Sequence, residues 1–301
     1  MALTTEKIEW NGWPNCYQVA NDEVDLIVTG DLGPRVMRYG FRGGQNLFKV
    51  YDSQAGKSGE EKWQLRGGHR IWVAPEDWKL TYATDNAPVE VITGNGTITA
   101  TSPVEPETGL RKQITVTLGE TGTDVRVLHR IQNTLPFPIQ FAPWAVTMFP
   151  ESGVGVTGFP PRRPHAEVLA PSNPLIMWAF TDLRDKRWTF LEKYLVLRQD
   201  PNEKAHTKLG HFNPNTWGAY FLNGDMFLKR FDAPESRDYP DMGCSFEAFA
   251  CSHMLELETL GPIRTVNPGE WLDHVEKWSL FRDIHVDSWT DKSLEEVFSR
   301  G

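Results

Sequence analysis

The chain predicts an all-β fold: a large antiparallel β-supersandwich with a few short helices. Three observations carry this expectation. Apolar and polar residues alternate with period two along several segments, the mark of half-buried strands. Turn-forming residues separate those segments at intervals of about ten residues, as in antiparallel sandwiches. Helical periodicity is almost confined to the tail.

The elements follow in order. Asp25-Leu26-Ile27-Val28-Thr29 reads as a strand entering the turn Gly30-Asp31-Leu32-Gly33-Pro34, and Arg35-Val36-Met37-Arg38-Tyr39 resumes the extended pattern. Val89–Ile92 and Thr97–Ala100 flank Gly94-Asn95-Gly96, a strong hairpin signal. Ile114, Val116 and Leu118 alternate with Thr115 and Thr117. Val125, Val127 and Ile131 alternate with Arg126, Leu128 and Arg130, which puts His129 on the apolar face as a core residue. Pro150 to Pro174 is rich in Pro and Gly, carries Arg162 and Arg163, and reads as a long irregular loop. Lys229-Arg230 reads as a solvated face, and His274 as a structural residue of the last strand. At the tail, Thr290 or Asp291 caps a helix from Lys292 through Phe298. No composition break marks a linker, so one domain over residues 1–301 is expected.

Composition narrows the function. The 301 residues are 40% hydrophobic and 24% charged, ordinary for a globular protein. A formal net charge of -9 disfavours nucleic acid, which needs a basic surface. No signal-peptide core follows Glu6, Lys7 and Glu9, and no apolar stretch is long enough to span a membrane. Cys16, Cys244 and Cys251 are odd in number and fit no zinc spacing, so they read as reduced thiols. These points together lead to an expected cytoplasmic location. No histidine pair has metal-site spacing, and no P-loop or Gly-x-Ser-x-Gly elbow is present, so neither metal nor cofactor is expected.

Two segments concentrate chemistry. Met254-Leu255-Glu256-Leu257-Glu258-Thr259-Leu260 sets two carboxylates into an apolar run. As a strand it sends Glu256 and Glu258 to one face and Leu255 and Leu257 to the core. Crowded carboxylates raise each other's pKa and can be tuned for proton transfer. Solvated glutamates on an exposed edge are the plain alternative. The second segment is Arg66-Gly67-Gly68-His69-Arg70-Ile71-Trp72-Val73-Ala74-Pro75-Glu76. Its glycines let the backbone approach a ligand, and Arg66 and Arg70 offer forked donors. The alternative there is a polar turn with Arg–Glu surface pairs. Twelve Trp supply flat apolar faces, suited to a sugar ring or to a thick sandwich core. His206 and His211 read as loop or rim residues, and His253 precedes the Glu256–Glu258 run.

These residues resemble the galactose mutarotase-like superfamily, the aldose 1-epimerases and hexose-6-phosphate epimerases. Arg66-Gly67-Gly68, followed by Trp72 and Pro75, resembles the Arg-Gly-Gly…Trp-Pro segment of the hexose-phosphate branch. Leu257-Glu258-Thr259 resembles the Leu-Glu-Thr that carries the general base. Val266-Asn267-Pro268-Gly269-Glu270 resembles the Pro-Gly-Glu turn before the last core strand. The matches run in the family's order from about residue 15 to 282. Pro143–Thr147 and Leu255–Pro262 look like a domain family of unknown function within that superfamily.

The resemblance implies a small carbohydrate ligand and ring opening of an aldose, with Glu258 as general base. It departs at one position. The family's catalytic histidine has no counterpart in Asn133–Phe137 or in Ala142-Pro143-Trp144. His69 is then the substitute acid. Arg66, Arg70, Trp72, Glu76, Trp144, Asp241, Glu247 and Glu256 are the expected substrate-binding residues. A sugar-binding protein without turnover is the rival reading. A hydrolase or lyase using Glu256 and Glu258 ranks behind both, because two acids on one strand share one side of a cavity and cannot flank a bond.

Overall fold

The computed structural model describes residues 3–235 and 238–299. Two sheets, of eleven and ten strands, pack over a shared apolar core. The first runs, edge to edge, Thr4–Trp10, Trp13–Ala20, Val24–Thr29, Arg35–Phe41, His69–Ala74, Ile139–Phe149, Met254–Leu260, Phe246–Cys251, Thr207–His211 and Leu175–Met177, with Arg264–Val266 paired to one end of Ile139–Phe149. The second runs Trp188–Phe190, Tyr194–Arg198, Val154–Gly158, Trp217–Leu222, Asp225–Phe231, Trp271–Phe281, Val125–Asn133, Leu110–Leu118, Thr97–Thr101 and Glu90–Gly94. The ladders around the middle of the first sheet are antiparallel.

The strand pleat builds the core. Leu26, Ile71, Val73, Phe149, Leu255 and Leu257 from the first sheet meet Val127, Ile131, Tyr220, Phe227 and Trp278 from the second. Phe149 stacks on Tyr220 at 4.3 Å between ring centres. Truncating an aromatic so enclosed costs about 3–5 kcal/mol, the transfer loss plus the cavity left behind.

Several expected elements are present. Glu90–Gly94 and Thr97–Thr101 pair as the hairpin, with Gly96 in the left-handed region at φ 69°. Thr290 caps the tail helix Asp291–Phe298, its hydroxyl accepting from the Ser293 N–H. Two readings need correction. Pro150–Pro174 is not irregular throughout: Val154–Gly158 is a strand paired on both sides, to Tyr194–Arg198 and to Trp217–Leu222. Its alternation is hidden because Gly155 takes an apolar position against Leu255 and Leu257. Lys229 is not a solvated residue. It is fully buried between the sheets and donates to Glu276 at 2.9 Å.

Candidate functional site

The candidate site lies on the outer face of the first sheet, at the centre of its width. Residues that alternate with the core set point here. On His69–Ala74 they are Arg70 and Trp72; on Ile139–Phe149, Trp144 and Val146; on Met254–Leu260, Glu256 and Glu258; on Phe246–Cys251, Glu247 and Phe249; on Thr207–His211, Lys208. Register places Arg70, Val146, Glu258, Glu247 and Gly210 in one row across five strands. Met148, Glu256, Phe249 and Lys208 form the next row.

Above these rows lies a cavity of about 430 Å³, within the range of small-molecule sites. Trp63, Trp72, Trp144, Trp178, Tyr82 and Phe249 supply its aromatic walls. Arg70, Lys208, Glu76 and Glu256 are its charged lining. Trp78 stands at the rim, 84% exposed, stacked on Tyr82 at 5.1 Å. The Tyr82 hydroxyl donates to Glu76.

Two buried cations organise the carboxylates. The Arg70 guanidinium lies 3.8 Å over the Trp72 ring and meets Glu256 at 3.5 Å, a long contact. The Lys208 ammonium sits 4.7 Å from the Trp144 ring and 4.5 Å from the Trp178 ring. It contacts Glu247 at 2.6 Å and Glu258 at 2.9 Å. The Trp144 indole N–H donates to the same Glu258 oxygen, Oε2, at 2.7 Å. Glu258 Oε1 meets no protein donor among the described residues. Gly210 lies opposite Glu247, and a Cβ there would come within 2.6 Å of Cys244 Sγ and 3.1 Å of Glu247 Cγ. Only glycine leaves room for this packing.

Charge balance follows from burial. Burial lifts the Glu256 carboxyl to about 7, although Arg70 pulls it down and Glu258 pushes it up. Burial holds Glu247 well above the usual carboxylate range, against the pull of Lys208. Asp241 is also raised by burial, beside Lys208 and Glu247. Burial opposes the Lys208 charge, but Glu247 and Glu258 outweigh it and keep the ammonium above the ordinary lysine range. Arg70 falls to about 10 through burial. The site therefore holds an acid that exchanges its proton near neutral pH beside a firmly charged lysine.

The structure brings Arg70, Trp72, Glu76, Trp144 and Glu256 together around the cavity, with Glu258 and Glu247 buried immediately beneath Lys208. Asp241 borders the Glu247 end, on a turn where it and Met242 both adopt left-handed backbone, φ 51° and 60°. Two expected residues lie elsewhere. Arg66 is fully buried and donates to the carbonyls of Gln54 and Lys57 and to Glu60, tying loops together. His69 has the parity of Ile71 and Val73, so the pleat sends it into the sandwich interior and not toward the cavity.

There His69 joins a closed polar network. His129 Nδ1–H donates to the His274 carbonyl at 3.0 Å, which leaves Nε2 as an acceptor. His69 Nε2–H donates to it at 2.6 Å, and the Thr147 hydroxyl donates to His69 Nδ1 at 2.8 Å. Thr259 donates to Glu276, so His274 Nε2–H donates to Thr259 at 2.8 Å. Lys229 and the Trp278 indole complete Glu276 at 2.9 and 2.7 Å. This proton pattern, assigned from the network, satisfies both ring nitrogens of His69 and of His129 and Nε2 of His274, with all three imidazoles neutral. Burial agrees, pushing His129 down to about 4, His274 to about 3 and His69 well below its ordinary value. His69, His129 and Glu276 bring three possible metal-ligand atoms within 4.8 Å of one another. Lys229 already neutralises Glu276 and the facing imidazole nitrogens share a proton, so the group reads as a hydrogen-bonded network.

Lys208, Trp178, Tyr82 and Phe249 were not singled out by sequence. Lys208 shows only as a lysine between Thr207 and Leu209, which does not distinguish a cavity floor from a hairpin. His206 does reach the cavity rim.

No protein-family model matches the chain, and no curated protein matches it. Solved structures do. A galactose mutarotase-like protein from Lactobacillus casei superposes with TM-score 0.59 at 10% identity, covering 89% of this chain and 100% of its own. A galactose mutarotase-like protein from Clostridium acetobutylicum gives 0.55 at 10%, covering 93% and 99%. A protein provisionally assigned as an aldose 1-epimerase from Klebsiella pneumoniae gives 0.62 at 10%, covering 99% and 86%. The chain has the galactose mutarotase-like fold, as its sequence motifs implied. Identity this low speaks to the fold alone.

Proposed function

We propose that this protein binds a carbohydrate in the aromatic cavity and interconverts its anomers, as an aldose 1-epimerase does. Glu256 carries the reading: it lines the cavity, 8% exposed, with a carboxyl that burial lifts to about 7. Anomer exchange needs a base for the anomeric hydroxyl and an acid for the ring oxygen. Glu258 is the base, through Oε1, the oxygen with no protein donor. Glu256 is the acid, in the role expected of His69. Lys208 and Trp144 fix Glu258 through its other oxygen. The indole faces of Trp63 and Trp72 stack against the C–H face of the ring. Arg70 and Glu76 bond its hydroxyls.

The test is binding and exchange measured together over a panel of aldoses. Saturable binding with faster anomer exchange supports the proposal. Absence of both rejects it.

Sugar binding without turnover is the second reading. One observation favours it: Glu258 is only 1% exposed and already holds Lys208 and Trp144. It gives saturable binding with the exchange rate of plain buffer.

A further inference from the structure

A second cavity adjoins the first. It also measures about 430 Å³, and the two share Phe180 and His206 as a common wall. Their characters differ. The inner one is aromatic with carboxylates at its floor. The outer one is lined by Asp182, Asp200 and Glu203 together with Arg184 and Arg187.

Phe180 is 47% exposed, a large aromatic left open where the two cavities meet. His206 and Phe249 make T-shaped contacts with it at 6.2 and 6.3 Å between ring centres. Arg187 adds an independent sign. It is 4% exposed, and its Nε and Nη2 are engaged by Asp185 and the Ala205 carbonyl. Nη1 has no acceptor among the described residues. A buried guanidinium N–H without a partner carries an energetic penalty that a ligand oxygen removes.

Donors and carboxylate acceptors mixed on one wall, next to a half-exposed aromatic ring, match the surface of a pyranose: hydroxyls around the edge and C–H groups on the face. A single monosaccharide in the inner cavity leaves this wall unused. We infer that the ligand is an oligosaccharide with a free reducing end, its terminal ring over Glu256 and Glu258 and its next units in the outer cavity against Phe180 and Arg187. The direction follows from chemistry, because anomer exchange requires a free anomeric hydroxyl at the carboxylates. The inference rests on the carbohydrate reading above and extends it to chain length.

Calorimetric titration of the full chain tests it, using glucose, galactose and mannose beside maltotriose, cellotriose, galactotriose and mannotriose. At least one trisaccharide is expected to bind tenfold or more tightly than its own monosaccharide. Phe180→Ala is expected to remove most of that gain. Glu203→Ala, which touches the outer cavity only, is expected to weaken the trisaccharide threefold or more and to leave the monosaccharide within twofold. Equal affinity for short and long sugars overturns the inference while the carbohydrate reading stands. So does a trisaccharide affinity that neither substitution moves. Failure of every sugar to bind overturns the carbohydrate reading, and the inference with it.

Discussion

Glu247 and Glu258 stand directly opposite each other on adjacent antiparallel strands, and one ammonium, that of Lys208, lies against both. Like charges opposed across a ladder repel. Here the lysine between them offsets the repulsion, and burial holds Glu247 above the usual carboxylate range. Removing the lysine leaves two buried carboxyls without a cation. Lys208→Met should cost about 3–5 kcal/mol in denaturant unfolding, as breaking a buried ion pair does. A loss under about 1 kcal/mol would mean that the pair is solvated.

Glu256 links proton binding to stability. Its folded value, about 7, lies above its unfolded value, so the native state binds more protons between them. Stability from this group is therefore full below about pH 4.5 and falls as pH rises toward 7. Glu256→Gln should remove that slope and stabilise the protein at pH 8 by about 1–3 kcal/mol. An unchanged slope between wild type and variant would place the titration elsewhere.

The histidine network works in the opposite sense. His129 and His274 are depressed to about 4 and about 3, so the unfolded chain takes up protons first. The stability they contribute is present above about pH 6.5 and lost as pH falls below it. In the Glu256→Gln background, which removes one of the opposing carboxyl slopes, urea unfolding should show a net loss of stability between pH 7 and pH 4.5. A gain in stability over that range would mean that these imidazoles are not held neutral.

Trp72 supplies a wall and a seat for Arg70 at once. Trp72→Ala should weaken sugar binding tenfold or more in the same titrations, by loss of stacking and of the Arg70 position. Unchanged affinity would move the ligand away from this cavity.

Much of this was legible in the chain. The two-residue period of Met254–Leu260 fixed which side Glu256 and Glu258 share, because a pleat admits no other choice. The same rule, applied to His69–Ala74, would have turned His69 inward with Ile71 and Val73. The flanking glycines suggested a freer turn than the ladder allows, since His69 is already paired to Thr147. Arg66 was misread because nothing local shows that Gln54, Lys57 and Glu60 fold back to meet it. Lys208 was missed for a related reason: its partners lie 39 and 50 positions away, at Glu247 and Glu258. Non-local pairing leaves no trace in local pattern.

Two-dimensional exchange NMR of aldose anomers, recorded with and without protein, tests most directly whether the Glu256–Glu258 pair moves protons on a bound sugar. Exchange should quicken with wild type for at least one sugar that binds, and Glu258→Gln should lower that enhancement about a hundredfold or more. A Glu258→Gln rate equal to wild type, or no enhancement for any sugar that binds, would contradict it.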